Sequence, residues 1–240
     1  GFESLFMRYW AIREKVVDMM EMTGGHRIIL SACAIGGIRR DITAEQIKIV
    51  EQTLQEVRQE LDRITPVVMN DYTVKKRTVG KGILTKEEAI TYGAVGPVLR
   101  ASGVAQDMRQ TGYAAYGEMG FEPIVENDGD SYARAKVRAR EAYQSIDLAL
   151  EALARLPEGE ALVKVKGNPQ GETIQRVEQP RGELLYYIKA NGTKNLERLR
   201  IRTPTFAHVP SLLKMLPGNE MADVPVVILS IDPCISCTER

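Results

Sequence analysis

LALEALARLPEGEALVKVK, residues 148–166, is where the texture of this chain changes. Up to Leu156 apolar residues recur every three or four positions, the spacing of a buried helix face. Pro157 and Gly159 break that pattern. Beyond Gly159 apolar and polar residues alternate, the period of a half-buried strand. The switch predicts an α+β fold, mainly α, with a long-helix bundle in residues 1–158 and a small C-terminal β-sheet region in residues 159–240; the length allows one large domain or two small ones.

Upstream of the switch the spacing predicts three long helices. In the first, Phe2, Leu5, Phe6, Tyr9, Trp10, Val16, Val17 and Met20 form a broad apolar face that ends at Gly24-Gly25. The second opens on Thr43 and Gln46, a capping-box pair. It continues through Ile47, Val50, Leu54, Val57, Leu61 and Ile64, and Pro66 closes it. The short connection predicts antiparallel neighbours. The third runs from about Ser131 to Leu156, with Tyr132, Ala135, Ala139, Ile146, Leu150 and Leu153 on its buried side. A short helix is expected near Thr85–Tyr92. Downstream, ALVKVK (161–166), TIQRVEQ (173–179), ELLYYIKA (183–190) and ERLRIR (197–202) read as strands, and KANGTKN (189–195) as a hairpin turn. Two short helices, Phe206–Met215 and Glu220–Ile231, lead into the last residues.

The totals exclude several classes of function. Lys plus Arg equal Asp plus Glu at 32 each, so the basic footprint of a general nucleic-acid binder is missing. No apolar run approaches the ~20 residues of a membrane span. Three cysteines do not make a disulfide framework. Cys33, in the small apolar stretch LSACAIGG, is expected to be a core thiol.

Cys234 and Cys237 stand as Cys-x-x-Cys in DPCISCTER, residues 232–240. Thiolates are soft ligands for nickel, iron and zinc. A structural zinc site needs four ligands, and Cys33, His26 and His208 stand at no metal-ligand spacing. A redox Cys-x-x-Cys opens a helix after a strand, yet three residues follow Cys237 here. The pair therefore reads as half of a four-thiolate site.

DPCISCTER resembles the C-terminal metal motif of [NiFe]-hydrogenase large subunits, Asp-Pro-Cys-x-x-Cys-x-x-His/Arg. GGIRRD (36–41), GPVLRASGVAQDMR (96–109), ENDGDSYARAKVRARE (126–141), EQPRGELLYY (178–187) and IRTPTFAHVPSL (201–212) resemble the same family and its relative, the quinone-site subunit of respiratory complex I. The LRASGV and GDSYAR wording is closer to complex I, while the cysteines are hydrogenase-like. The combination resembles the energy-converting, membrane-associated [NiFe]-hydrogenases, along essentially the whole chain. The family's first Cys-x-x-Cys pair has no counterpart here, and an Arg-x-Cys-Gly-x-Cys-like pair is expected upstream of Gly1.

The resemblance implies a large-subunit-like fold and a Ni–Fe centre carrying carbon monoxide and cyanide, with Cys234 a terminal nickel ligand and Cys237 bridging both metals. It implies that Arg181, after Pro180 in the Pro-Arg-Gly motif, faces a cyanide over the open metal position. Thr205 is expected to bond the other cyanide and Asp232 to orient Arg181. Arg181 is therefore expected beside Cys234 and Cys237, pointing inward. Arg240 stands where relatives carry a magnesium-binding His, and a guanidinium has no lone pair to offer, so no magnesium site is implied. Arg39, Arg40 and Asp41 face a partner subunit or form a loop ion pair. Glu118, Glu122 and Glu126 are proton-path candidates or solvated carboxylates. The implied activity is H2 evolution or oxidation, with an iron–sulfur small subunit, ferredoxin as electron partner, membrane subunits that translocate ions, and a place on the cytoplasmic face of the cell membrane. The alternative is a quinone-binding subunit of a complex I-like NADH:quinone oxidoreductase, with vestigial cysteines.

Overall fold

Where chain segments meet was established from a computed structural model, which describes residues 3–28 and 31–239. Two compact units are present: residues up to Asn70 with Ser145–Gly167, and Asp71–Gln144 with the chain from Asn168 on.

The first unit holds helix α1 (Glu3–Gly24), the two-residue strands β1 (Cys33–Ala34) and β2 (Gly37–Ile38), and helix α2 (Ala44–Asn70). The Thr43 hydroxyl accepts from the Gln46 N–H at 3.2 Å, and the Gln46 side chain accepts from the Thr43 N–H at 2.9 Å. This reciprocal cap starts α2 as its sequence requires. Lys15 meets Glu56 at 2.7 Å, and the Gln46 amide donates to the Met22 carbonyl, so α1 and α2 run antiparallel. Their seam is Tyr9, Ile12, Val16, Met19 and Met22 against Val50, Leu54, Val57 and Ile64, with Ile146, Leu150 and Leu153.

Four expectations fail in this unit. Phe6 and Trp10 are exposed, because the seam follows the Tyr9–Ile12–Val16–Met19 row and they lie beside it; Phe2 lies outside the described residues. Helix α2 runs past Pro66 to Asn70. The proline costs about 3 kcal/mol, whereas each buried aliphatic side chain contributes roughly 1.5–3 kcal/mol, and four are buried along α2. Cys33 is exposed on its two-residue hairpin. The ALVKVK segment forms no strand beyond a single bridge between Leu162 and Gly37, and Val163 and Val165 stay exposed. Its hydrogen bonds go to the Gly36-Gly37 turn, from Ile38 N–H to the Ala161 carbonyl (2.9 Å) and from Val163 N–H to the Gly36 carbonyl (3.0 Å). Gly36 and Gly37 have φ of 100° and 148°, and a Cβ on either would lie 2.2 Å from a carbonyl oxygen of this segment. Both turn conformation and close approach therefore demand glycine there. Arg39, Arg40 and Asp41 are exposed.

The second unit opens with α3 (Tyr72–Thr78), α4 (Lys86–Thr91) and α5 (Gly96–Arg100), followed by the start of the long helix α6 (Ser131–Ala154). Helix α4 carries the expected Thr85 cap, reciprocated by Glu88. Strands β3 (Gln170–Gln179), β4 (Gly182–Asn191) and β5 (Leu196–Arg202) form an antiparallel sheet with β4 central. Helices α7 (Pro204–Met215), α8 (Val224–Leu229) and α9 (Ile235–Thr238) complete the unit. The helix expected over Glu220–Ile231 is shorter, a 3-10 turn at Met221–Asp223 and then α8. The core joins Leu84, Ala89, Val98 and Leu99 to Met215, Val227 and Ile231.

Along the first half of α6 the buried side differs from the expected one, whereas Ile146, Leu150 and Leu153 further along pack as expected. Ala133, Arg134 and Val137 are fully buried, in place of Tyr132, Ala135 and Ala139. Apolar periodicity misses that face because it counts arginine as polar, and Arg134 has its donors met inside the protein. It donates to Ser230 Oγ (2.8 Å), the Gly129 carbonyl (2.9 Å) and the Gly82 carbonyl (2.8 Å).

Candidate functional site

Gln179 pairs with Gly182, so β3 and β4 are joined by the two residues Pro180 and Arg181 alone. Pro180, exposed, fixes the backbone before the turn. Gly182 has φ of 130° and lies back to back with Gly96, whose φ is 59°. A Cβ on Gly182 would fall 2.8–2.9 Å from the Gly96 backbone, and one on Gly96 would fall 2.3 Å from the Gly182 Cα. The start of α5 thus presses directly on the turn that carries Arg181.

Arg181 reaches the chain's last segment across 51 residues. Its Nε donates to the Asp232 carbonyl at 2.8 Å, and Asp232 Oδ2 lies 3.3 Å from the same nitrogen. Asp232 is left-handed, with φ of 55°, a region that Asp enters more readily than most residues. Cys234 follows as the N-cap of α9, and its carbonyl accepts from the Cys237 and Thr238 N–H groups at 3.1 Å. This single turn puts both half-buried thiols close enough for each to shift the other's pKa.

The two thiols differ. The Ser236 hydroxyl, 3.2 Å from Cys234 Sγ, is the largest influence lowering the Cys234 pKa to about 7, and the Cys237 N–H and thiol and the Arg181 charge add to it. Burial, and then Cys234 itself, pushes Cys237 up, while the Gln179 side chain and Arg181 pull against that rise. Thr205, buried on α7, accepts the Cys234 N–H at 3.3 Å, and the Thr203 hydroxyl donates to the Cys237 carbonyl. Cys234, Cys237, Arg181, Asp232 and Thr205 are therefore brought together, with Pro180 beside them on the surface.

Elsewhere, Glu118 and Glu122 are exposed, and Glu126 is ion-paired with Arg140 (2.8 Å) and Lys136 (3.4 Å). Arg240 lies outside the described residues.

Three residues of the site's surroundings escaped sequence reasoning. Arg138 donates to the Ser230 carbonyl at 2.7 Å, behind the same loop that Arg134 holds by its hydroxyl. Burial lowers the pKa of both guanidiniums, that of Arg134 to about 9. The available signal was two arginines one helical turn apart among Ala133 and Val137. His208 is the third, fully buried on α7. A further network was also missed. Arg100, buried, pairs with Asp107 (2.8 Å), Glu141 (2.8 Å) and Glu178 (2.9 Å), and Arg109 pairs with Asp107 (2.7 Å). Burial raises both glutamate pKa values. Glu178 lies on β3, three residues before Arg181, so this network anchors the strand that delivers the arginine.

Among the described residues no group of three or more His, Cys, Asp or Glu side chains converges as a metal site. Two adjacent soft donors beside a guanidinium, with a buried hydroxyl and an Asp at hand, fit half of a thiolate-bound centre.

The profile of the family described as "Respiratory-chain NADH dehydrogenase, 49 Kd subunit" matches residues 1–168 and 161–240. The chain is 40% identical, over its whole length, to the carbon monoxide-induced hydrogenase of Rhodospirillum rubrum, of which it covers 67%. It is 36% identical to the membrane-bound hydrogenase alpha subunit of Pyrococcus furiosus, again along the whole chain and over 60% of that protein. It is 34% identical to an NADH-quinone oxidoreductase subunit of Protochlamydia amoebophila, with 100% of the chain and 67% of that protein covered. The chain thus spans roughly 60–67% of the length of these relatives.

Proposed function

Since the chain belongs to the family of the respiratory-chain NADH dehydrogenase 49 Kd subunit and matches its hydrogenase-related members, we propose that it is the catalytic large subunit of an energy-converting [NiFe]-hydrogenase. The observation that carries the proposal is the Cys234/Cys237 pair on one turn beside Arg181, which is fastened to Asp232 of the same loop. Cys234 would be a terminal ligand and Cys237 a bridging one. A nickel–iron centre with carbon monoxide and cyanide ligands would supply the redox and Lewis-acid chemistry that cleaves or forms H2.

The chain's own residues do the rest. Arg181 places a fixed cation and a fork of donors beside two thiolates, which favours an anionic ligand set. Asp232 holds the guanidinium by its carbonyl and carboxylate, so the fork keeps one direction. Thr205 occupies the Cys234 amide, which holds the backbone of the ligand loop. Arg134 and Arg138 brace Ser230 and add buried positive charge behind the loop.

The proposal extends to an iron–sulfur small subunit as electron acceptor, ferredoxin beyond it, and membrane subunits that hold the complex on the cytoplasmic face and couple it to ion movement. No described helix is long and apolar enough to cross a membrane, so attachment would run through those partners. A second cysteine pair would complete the ligand set.

The 34% identity to the Protochlamydia NADH-quinone oxidoreductase protein favours a second reading, a quinone-binding subunit with idle cysteines. Metal content separates the two. The purified complex is expected to hold stoichiometric nickel and to reduce a viologen dye with H2, and Cys234→Ser or Cys237→Ser to lose both. Nickel-free wild-type complex with H2-independent quinone reductase activity, or a parent gene without another cysteine pair, sinks the hydrogenase reading.

A further inference from the structure

One turn of α7 fastens both halves of the site. Thr203, the N-cap of that helix, donates to the Cys237 carbonyl, and Thr205 accepts from the Cys234 amide. One turn further, His208 Nε2 lies 3.1 Å from the carbonyl oxygen of Arg181. Thr205 and His208, three apart, share a helix face, and all three of these side chains are buried. The helix therefore sets the spacing between the arginine turn and the cysteine loop.

The state of the imidazole follows from its surroundings. Burial is the main cause that lowers the His208 pKa to about 4, and the charges of Arg138 and Arg134 on α6 and Arg202 on β5 add to it, against the opposing bond to the Arg181 carbonyl. The ring is neutral at neutral pH and carries one proton. A carbonyl oxygen only accepts, so that proton sits on Nε2. Nδ1 has no hydrogen-bond partner among the described residues, and nothing there competes for it.

The turn needs such a tether. The Gly96–Gly182 contact packs against the Arg181–Gly182 peptide, and the hydrogen bond to the Arg181 carbonyl comes from His208. The other hold on Arg181 is Asp232, whose side chain is 43% exposed. Without the His208 bond, the Arg181 backbone would rely more on that half-exposed contact to keep its side chain near the thiols.

We propose that His208 is a positioning residue: its Nε2–H clamps the Arg181 carbonyl and thereby keeps the guanidinium aimed at the Cys234/Cys237 pair. The inference rests on the reading of Arg181 as the cation of the catalytic centre. Two substitutions in the intact complex test it. His208→Gln keeps an N–H donor of similar reach, and His208→Leu keeps bulk without a donor. Loss of one buried hydrogen bond predicts a fall of about tenfold in H2 turnover for the leucine variant, with KM and nickel content unchanged, and recovery of most of it in the glutamine variant. Amide exchange in residues 180–183 should quicken in the leucine variant alone. The 15N spectrum of histidine-labelled complex, taken as a difference against His208→Gln, should show an Nε2–H ring that stays neutral from pH 8 to 5. An Nδ1–H tautomer, or a leucine variant with wild-type turnover and exchange, overturns the clamp. If the wild-type complex has no H2 activity, the functional reading fails, while the tautomer and exchange results still decide the tether. If the leucine variant does not fold, the wild-type tautomer decides it.

Discussion

In the proposed centre Arg181 is the cation beside the thiols, and its reach is specific to arginine. The bond to the Asp232 carbonyl comes from Nε, an atom that lysine lacks at that depth, and an ammonium is a point charge without the fork. Arg181→Lys in the intact complex is expected to lower H2 turnover on the order of 10²-fold, the usual cost of one preorganised donor. Nickel content should stay near that of the wild type, since the thiols are untouched. A variant that loses nickel and activity in parallel would show Arg181 acting in metal retention instead. Asp232→Asn tests the same contact from the other side. It keeps the carbonyl bond and weakens the 3.3 Å ion pair, so its effect should be smaller than that of Arg181→Lys in the same dye assay.

Elements carry these residues to one place by backbone contact as much as by side chains. The β3–β4 turn and the start of α5 meet through two glycines whose φ values and spacing both exclude a Cβ. Gly182→Ala must shift one backbone against the other, and its φ adds strain of about 1–3 kcal/mol. Denaturant unfolding should show a loss of that size or more. Gly96→Ala should cost a similar amount. The double variant should cost less than the sum, because the first displacement already opens the gap. Full additivity would mean the two glycines do not share one contact. Helix α2 teaches a related point. A proline inside the pattern predicts a stop, yet the buried row preceding Pro66 outweighs the single lost hydrogen bond.

At the scale of the whole molecule, the charged groups inside the second unit make stability depend on pH. The network around Arg100 holds three carboxylates and two guanidiniums, and burial raises the pKa of Glu141 and Glu178 above the ordinary 4.5. A folded-state pKa above the unfolded one means that the folded chain binds more protons in the interval between them. The contribution of these groups is therefore greatest at or below about pH 4.5 and shrinks as pH rises through the raised values. Glu141→Gln removes one such titration. The stability of wild type relative to this variant should fall as pH rises from 4.5 toward neutral, as read by urea unfolding at several pH values. A relative stability that rises over that range would show that the ion pair with Arg100 outweighs burial.

The sequence by itself determined what depends on neighbours within a few positions. Thr43 with Gln46 and Thr85 with Glu88 start their helices because a cap needs only its own first turn. The alternation in 173–179 and 183–190 marks two strands of the sheet, and the Cys-x-x-Cys spacing sets both thiols on one turn. Tertiary structure decided what depends on partners far along the chain. ALVKVK alternates as a strand should, but a strand needs a ladder, and what lies alongside it is the short Gly36-Gly37 turn. Cys33 reads as a core residue and sits on an exposed hairpin, because small apolar composition does not say which face is covered. Arg134 and His208 stand on no apolar row that periodicity picks out, yet both are fully buried. Their donors are met by carbonyls and hydroxyls that only folding brings near: Gly82 lies 52 residues from Arg134, and Arg181 lies 27 from His208. Backbone hydrogen bonds within a turn are written in local order, whereas burial is set by whatever the rest of the chain places against a residue.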